Sequence, residues 1–213
     1  GTDPNNEINQ KLQNLHDHSK WHALSEACSL LVDIHPNSIL VLNMLGLAKL
    51  ALEDFEQAAS CFSRVLEIDP KYAPGYLNCG RLLMELGDFG KAADFFNKAT
   101  GVDETAAEAY TRLGACLWFS GLRLESQEYY QEAERHSQGI HQIKARANLG
   151  GVKLLEKNFS EGWALRENRL VAINEQGRAR PDLLNKRWSG QHVPHLLIWA
   201  EQGIGDEMMF ASC

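Results

Sequence analysis

A single spacing governs this 213-residue chain. Gly46, Gly80 and Gly114 stand 34 residues apart. Ala58, Ala92 and Ser126 keep the same step, as do Phe62, Phe96 and Tyr130, and Pro36 with Pro70. Four columns that share one period mark an array of similar units. Each unit is too small to bury its own apolar face, so it is stable only when stacked on its neighbours. The period divides the chain into frames 5–38, 39–72, 73–106 and 107–140. A fifth frame fits 143–176 after a two-residue slip, with Gly150 in the glycine column and Gly162 in the small-residue column. The first frame is degenerate. Leu12 replaces its glycine, and Trp21, Cys28, Leu31 and Pro36 carry what remains of the pattern.

Within a frame the apolar spacing is helical. Leu42, Leu45 and Leu52 precede a turn at Glu53-Asp54. Phe55, Ala58, Ala59, Phe62, Val65 and Leu66 follow at steps of three and four, and Asp69-Pro70 ends the run. Each frame therefore predicts a helix–turn–helix hairpin. A glycine in mid-helix costs ~1 kcal/mol relative to alanine. Its recurrence, together with Ala58 and Ala92, predicts close approach of the two helices of a hairpin, with Phe62 or Phe96 filling the groove to the neighbouring hairpin.

These columns resemble the tetratricopeptide repeat. Tyr76, Gly80, Ala92, Phe96 and Ala99 match its pattern in one copy; Tyr110, Leu113, Gly114, Tyr130 and Ala133 match it in the next. The resemblance covers 5–176 and implies an all-α fold, a right-handed α-solenoid of helix–turn–helix repeats. In that family the first helices of the hairpins line a concave groove that binds a peptide or protein segment. Carried over, the resemblance implies three exposed inner columns here. One holds Asn43, Leu77, Thr111 and Ala147, the next Leu47, Arg81, Ala115 and Gly151, and the third Leu50, Met84, Trp118 and Leu154. Leu50, Met84, Trp118 and Phe119 are the expected apolar anchors, with burial in the core as the alternative for Leu50 and Met84. Some members of the family clamp a terminal carboxylate with cationic and Asn side chains. Only Arg81 and Asn78 suit that role here, and one guanidinium makes a weak clamp.

Composition narrows the remaining options. With 28 acidic and 21 basic residues the net charge is -7, which disfavours nucleic-acid binding by bulk charge. Cys28, Cys61, Cys79, Cys116 and Cys213 are odd in number and form no CxxC pair, so they read as buried thiols in a reducing, cytoplasmic setting. No membrane span is expected, because the apolar stretch 38–52 is broken by Asn43 and Lys49. No signal peptide is visible, and the start Gly1-Thr2-Asp3-Pro4 without Met points to a cleaved tag or processing. His18 and His22 share a helical spacing but lack a third ligand, so no metal is expected. No nucleophile-elbow, zinc-protease or phosphate-loop motif occurs, and no cofactor is expected.

The period stops after Gln176. Residues 177–194 read as a linker with Gly, Pro, Asn and Ser. His195-Leu196-Leu197-Ile198-Trp199-Ala200 then reads as a buried strand, followed by Glu201-Gln202-Gly203-Ile204-Gly205-Asp206 and a helix start. Strand, glycine-rich turn and helix open a β–α unit, whose turn presents N–H groups to a ligand at Gly203 and Gly205. Together with Phe159-Ser160-Glu161-Gly162-Trp163, Arg166, Arg169 and Arg187-Trp188-Ser189-Gly190, this segment resembles bacterial proteins that join tetratricopeptide repeats to a two-Rossmann-domain glycosyltransferase. The resemblance implies that Asp206 is the matching position of a general base, with helix capping as the alternative role. With only 195–213 of that domain present, this chain is expected to lack transferase activity. The unpaired strand is expected to be disordered, to dock on the repeats, or to pair with another molecule such as a second copy. Two readings follow: a protein-binding scaffold, or the acceptor-recognition arm of a longer glycosyltransferase.

Overall fold

The computed structural model describes residues 4–167. Among them lie ten α-helices: α1 (Pro4–Asp17), α2 (Trp21–Ile34), α3 (Ile39–Ala51), α4 (Phe55–Ile68), α5 (Ala73–Glu85), α6 (Phe89–Ala99), α7 (Asp103–Phe119), α8 (Ser126–Arg135), α9 (Gly139–Leu155) and α10 (Phe159–Arg166). The strand and loop expected at 195–206 lie outside the described residues.

One turn is used five times. Ser19, Glu53, Gly87, Gly121 and Lys157 all take a left-handed conformation, with φ between 54° and 87°. Each follows the first helix of a hairpin. The residue after each donates its N–H to the carbonyl five back, as in Asp54 to Lys49 at 2.9 Å and Asp88 to Leu83 at 2.9 Å. This double-bonded stop satisfies carbonyls that the helix end would leave open. The second helix starts at once, because Asp54, Asp88 and Asn158 accept the N–H of Gln57, Lys91 and Glu161 in turn. Leu122 stands where those caps stand. Without a cap there the chain runs on to Ser126, whose hydroxyl donates to the Arg123 carbonyl at 2.6 Å.

The interior explains the columns. A β-carbon at Gly46 would sit 2.5 Å from Cε1 of Phe62, one at Gly80 2.5 Å from Cε1 of Phe96, and one at Gly114 2.6 Å from Cε1 of Tyr130. Each aromatic ring thus lies directly on a glycine of the facing helix. Phe62 and Phe96 are fully buried, as are Ala58, Ala92 and Ser126. The first hairpin inverts the arrangement. Leu12 occupies the glycine column and Cys28 the aromatic column, and the two pack in one core with Leu24, Val41 and Leu45. The bulk has moved from the second helix to the first, which conserves volume. The fifth hairpin uses a third solution. Arg166 takes the aromatic column, and a β-carbon at Gly150 would meet backbone, 2.7 Å from Arg166 N and 2.8 Å from Gly162 O. Here α9 and α10 touch main chain to main chain.

The first helices of the hairpins form a continuous layer: α1 touches α3, α3 touches α5, α5 touches α7 and α7 touches α9. The second helices α2, α4, α6, α8 and α10 make no comparable contacts with one another. A stack whose one layer is tighter than the other curves toward the tight side, so α3, α5, α7 and α9 line the inner face of an α-solenoid. Two of these helices depart from the expected frames. α7 begins at Asp103 and α9 at Gly139, each four residues ahead of the 107 and 143 boundaries. Glu104 stands where Pro36 and Pro70 stand, so nothing stops the helix one turn earlier. Thr105 fixes that extra turn by donating its hydroxyl to the Ala99 carbonyl at 2.8 Å.

Candidate partner-binding groove

The inner face is less open than the columns implied. Asn43, Leu77 and Ala147 are buried, and only Thr111 of that column is partly exposed, its hydroxyl turned back onto the Ala107 carbonyl at 2.8 Å. The reason is the tightness of the inner layer, where residues on the flank of one first helix meet the next. Leu50 is buried as well, in a core with Phe62 and Leu82, so it offers no anchor. The partly exposed inner positions are Leu47, Arg81, Met84, Ala115, Trp118, Gly151 and Leu154.

Asn78 is buried too, and it does not stand alone. Its side-chain amide donates to Oδ1 of Asn43 at 2.8 Å, across two repeats, and its own Oδ1 accepts from Nη1 of Arg81 at 3.3 Å. A buried polar pair is tolerated because its members satisfy each other. The chain of bonds fixes the Arg81 side chain over the inner face. Burial, and next the neighbouring Arg112 charge, lower the Arg81 pKa, while Glu108 and Glu85 oppose that shift. Arg112 is the residue that the column reading missed. It stands 34 residues after Asn78, in the same column, and brings a second guanidinium close to the first. Its Nη2 donates to Oε1 of Glu108 at 3.3 Å.

Trp118 ends the inner row. It packs on Tyr130, Leu149 and Val152 with part of the indole still exposed. Its ring tip lies 3.5 Å from where a β-carbon of Gly151 would be, and the Arg123 guanidinium sits 5.7 Å from the ring centroid. Phe119 turns elsewhere. It is 62% exposed and stacks on Phe89 at 5.6 Å, beside the turn into α6. The two adjacent aromatics therefore serve different surfaces.

Other candidate chemistry is quickly placed. His18 and His22 are exposed, and among the described residues no three His, Cys, Asp or Glu side chains gather as a metal site. Cys28, Cys61, Cys79 and Cys116 are free and buried. Burial pushes Cys28 up to about 12 and Cys79 and Cys116 up to about 11. No helix among the described residues is long and apolar enough to cross a membrane. Asp206, Gly203 and Gly205 lie outside the described residues.

Residues 49–117 match the tetratricopeptide repeat family. The fold is a tetratricopeptide solenoid. A thermophilic TPR protein of Thermus thermophilus superposes with a TM-score of 0.67 at 17% identity, over 85% of this chain and 95% of that one. PilF of Pseudomonas aeruginosa gives 0.69 at 13% identity, over 78% and 75% of the two chains. MamA of Desulfovibrio magneticus RS-1 gives 0.60 at 18% identity, over 82% and 97%. At these identities the likeness is one of fold. No curated protein matches the chain in sequence.

Proposed function

We propose that the chain is an interaction scaffold whose inner face, formed by α3, α5, α7 and α9, takes up a segment of a partner protein. The supporting observation is the row of partly exposed positions, Leu47, Arg81, Ala115 and Gly151, that crosses four adjacent inner helices, with Met84, Trp118 and Leu154 beside it. Apolar stems, one aromatic and one cation in a shallow channel are what an extended or helical segment needs for burial and register. Trp118 is the energetic centre of this reading, because Trp is among the residue types most enriched at hot spots and this indole is partly exposed on a packed helix. The test is Trp118→Ala, assayed by fluorescence anisotropy with a peptide selected on the chain. A loss of ~2 kcal/mol, about 30-fold in affinity, is expected. A folded Trp118→Ala protein with undiminished affinity refutes the assignment.

A second reading rests on Glu201-Gln202-Gly203-Ile204-Gly205-Asp206 and the segments that accompany it. In it, the repeats present an acceptor to a glycosyltransferase domain that begins near 195, with Asp206 as the base that takes the acceptor hydroxyl's proton. Sequencing the gene beyond the codon for Cys213 decides it. Several hundred in-frame residues of alternating strand and helix pattern support it, and an immediate stop sinks it.

A further inference from the structure

We propose that the segment held by the inner face is anchored by an internal Asp or Glu side chain, whose carboxylate pairs with Arg81. This rests on the groove reading above. Arg81 is a partly buried guanidinium with five N–H donors. Only one of them has a partner among the described residues, the neutral amide oxygen of Asn78 at 3.3 Å, and no described carboxylate lies within ion-pairing distance. Glu85, four residues on and exposed, and Glu108, already bonded to Arg112, lie further out. Charges withdrawn from water are normally paired. Here the nearest cation, Arg112, adds repulsion instead. A fold that holds a guanidinium in place through two buried asparagines, yet leaves its fork open toward the inner face, presents an anion-binding position.

Position selects the kind of carboxylate. Arg81 on α5 stands between Leu47 on α3 and Ala115 and Trp118 on α7, so a segment that spans the row meets Arg81 along its length rather than at its end, and the Asn78 amide, bonded to Asn43 at 2.8 Å, adds no donor there for a chain terminus. What remains is the planar fork of Arg81, which matches one side-chain carboxylate end-on. Leu47 lies one repeat before it and Met84 three residues after it, so apolar side chains flank the acid along the segment. The inference is therefore a segment with an acidic residue set between apolar ones.

The experiment selects linear peptides from a random displayed library on the full chain. The winners are then synthesised with acetylated N-termini and amidated C-termini, and their affinities are measured by fluorescence anisotropy. An acidic residue at a fixed internal position is expected. Its change to Asn or Gln should weaken binding at least 10-fold, Arg81→Gln should do the same, and the two losses should not add. Arg81→Lys should fall between, and Glu85→Gln should tighten binding by removing a competitor. The peptide-side change leaves the protein untouched, so a misfolded Arg81→Gln protein does not block the test. Binding that disappears on C-terminal amidation overturns the inference in favour of a terminal carboxylate. Peptides without a shared acid that still lose affinity on Trp118→Ala overturn it while the groove reading stands. Peptides insensitive to both Trp118→Ala and Arg81→Gln overturn both.

Discussion

Replacing Gly80 with Ala tests the packing rule on which the solenoid rests. On an isolated helix the change would stabilise by ~1 kcal/mol, because glycine is the poorer helix former. In the fold the new methyl would lie 2.5 Å from Cε1, 2.7 Å from Cζ and 2.8 Å from Cδ1 of Phe96. Ordinary carbon contact is about 3.5–4.0 Å, so the ring must retreat by roughly 1 Å. It has nowhere to go. Phe96 is fully buried among Leu77, Ala92, Ala99, Ala109, Leu113 and Cys116. Overpacking costs ~1–3 kcal/mol, and a ring enclosed on all sides places this change in the upper part of that range, ~2–3 kcal/mol, which outweighs the helical gain. A net loss of ~1–2 kcal/mol is expected, read as a fall in Tm of roughly 2–8 °C for a chain of this size. Gly90→Ala is the control, since nothing lies closer to that β-carbon than Asp88 Oδ1 at 3.9 Å, and it should be neutral or slightly stabilising. The assay is thermal and urea unfolding followed by far-UV circular dichroism, with the urea slope m monitored because repeat arrays can lose two-state behaviour. Pairing Gly80→Ala with Phe96→Leu should restore part of the loss, giving a coupling of ~0.5–3 kcal/mol. A Gly80→Ala protein as stable as Gly90→Ala refutes the rule that the ring seats on the glycine.

Two further outcomes follow from the turns and the thiols. Glu53 and Lys157 sit at φ 61° and 62°, where their neighbours in the column are Gly87 and Gly121, so Glu53→Gly and Lys157→Gly should each stabilise by ~0.5–1 kcal/mol in the same urea titration. Burial keeps Cys28, Cys79 and Cys116 protonated up to about 11–12, so a disulfide reagent at pH 8 should modify them only at the rate of unfolding; fast labelling in native buffer would contradict their placement.

The period made the hairpins legible because one physical constraint, a ring on a glycine, is repeated with its spacing intact in the second, third and fourth copies. The pattern weakens, though the hairpins stay legible, where the same space is filled by other means. In the first hairpin, Leu12 and Cys28 exchange sizes between the two helices. In the fifth, Gly150 and Gly162 bring main chains together and release Arg166 from the aromatic role. Neither solution resembles the repeat, although both fill its groove. α7 and α9 start at Asp103 and Gly139, ahead of the 34-residue frames; for α7 no proline stands at Glu104, which leaves its start to the hydroxyl bond from Thr105. The inner columns were assigned by position alone. Which members stay open depends on how tightly adjacent first helices pack, so Asn43, Leu50 and Leu77 went to the interior. Arg112 was legible in principle, since it continues the Asn78 column, but a column that runs from amide to guanidinium hides its common role.

That column carries the last prediction. The Asn43–Asn78 hydrogen bond is buried and bridges α3 to α5, so joining two repeats is one role it can fill. Single and paired substitutions separate that role from the positioning of Arg81. Asn43→Ala strands the Asn78 amide in the interior and should cost ~1–3 kcal/mol, the desolvation penalty of an unpaired donor. Asn43→Leu combined with Asn78→Leu removes both partners and replaces them with apolar groups of similar size, which is expected to return stability close to that of the unmodified chain. It also takes away the one hydrogen bond that orients Arg81. If the pair exists to aim the guanidinium, the double variant will be as stable as the parent and will bind an acidic peptide no better than Arg81→Gln does. If the pair is only a joint between repeats, the same variant will keep full affinity, and orientation through Asn78 is then wrong. The measurement sets stability against affinity in one molecule, and only a positioning role separates the two.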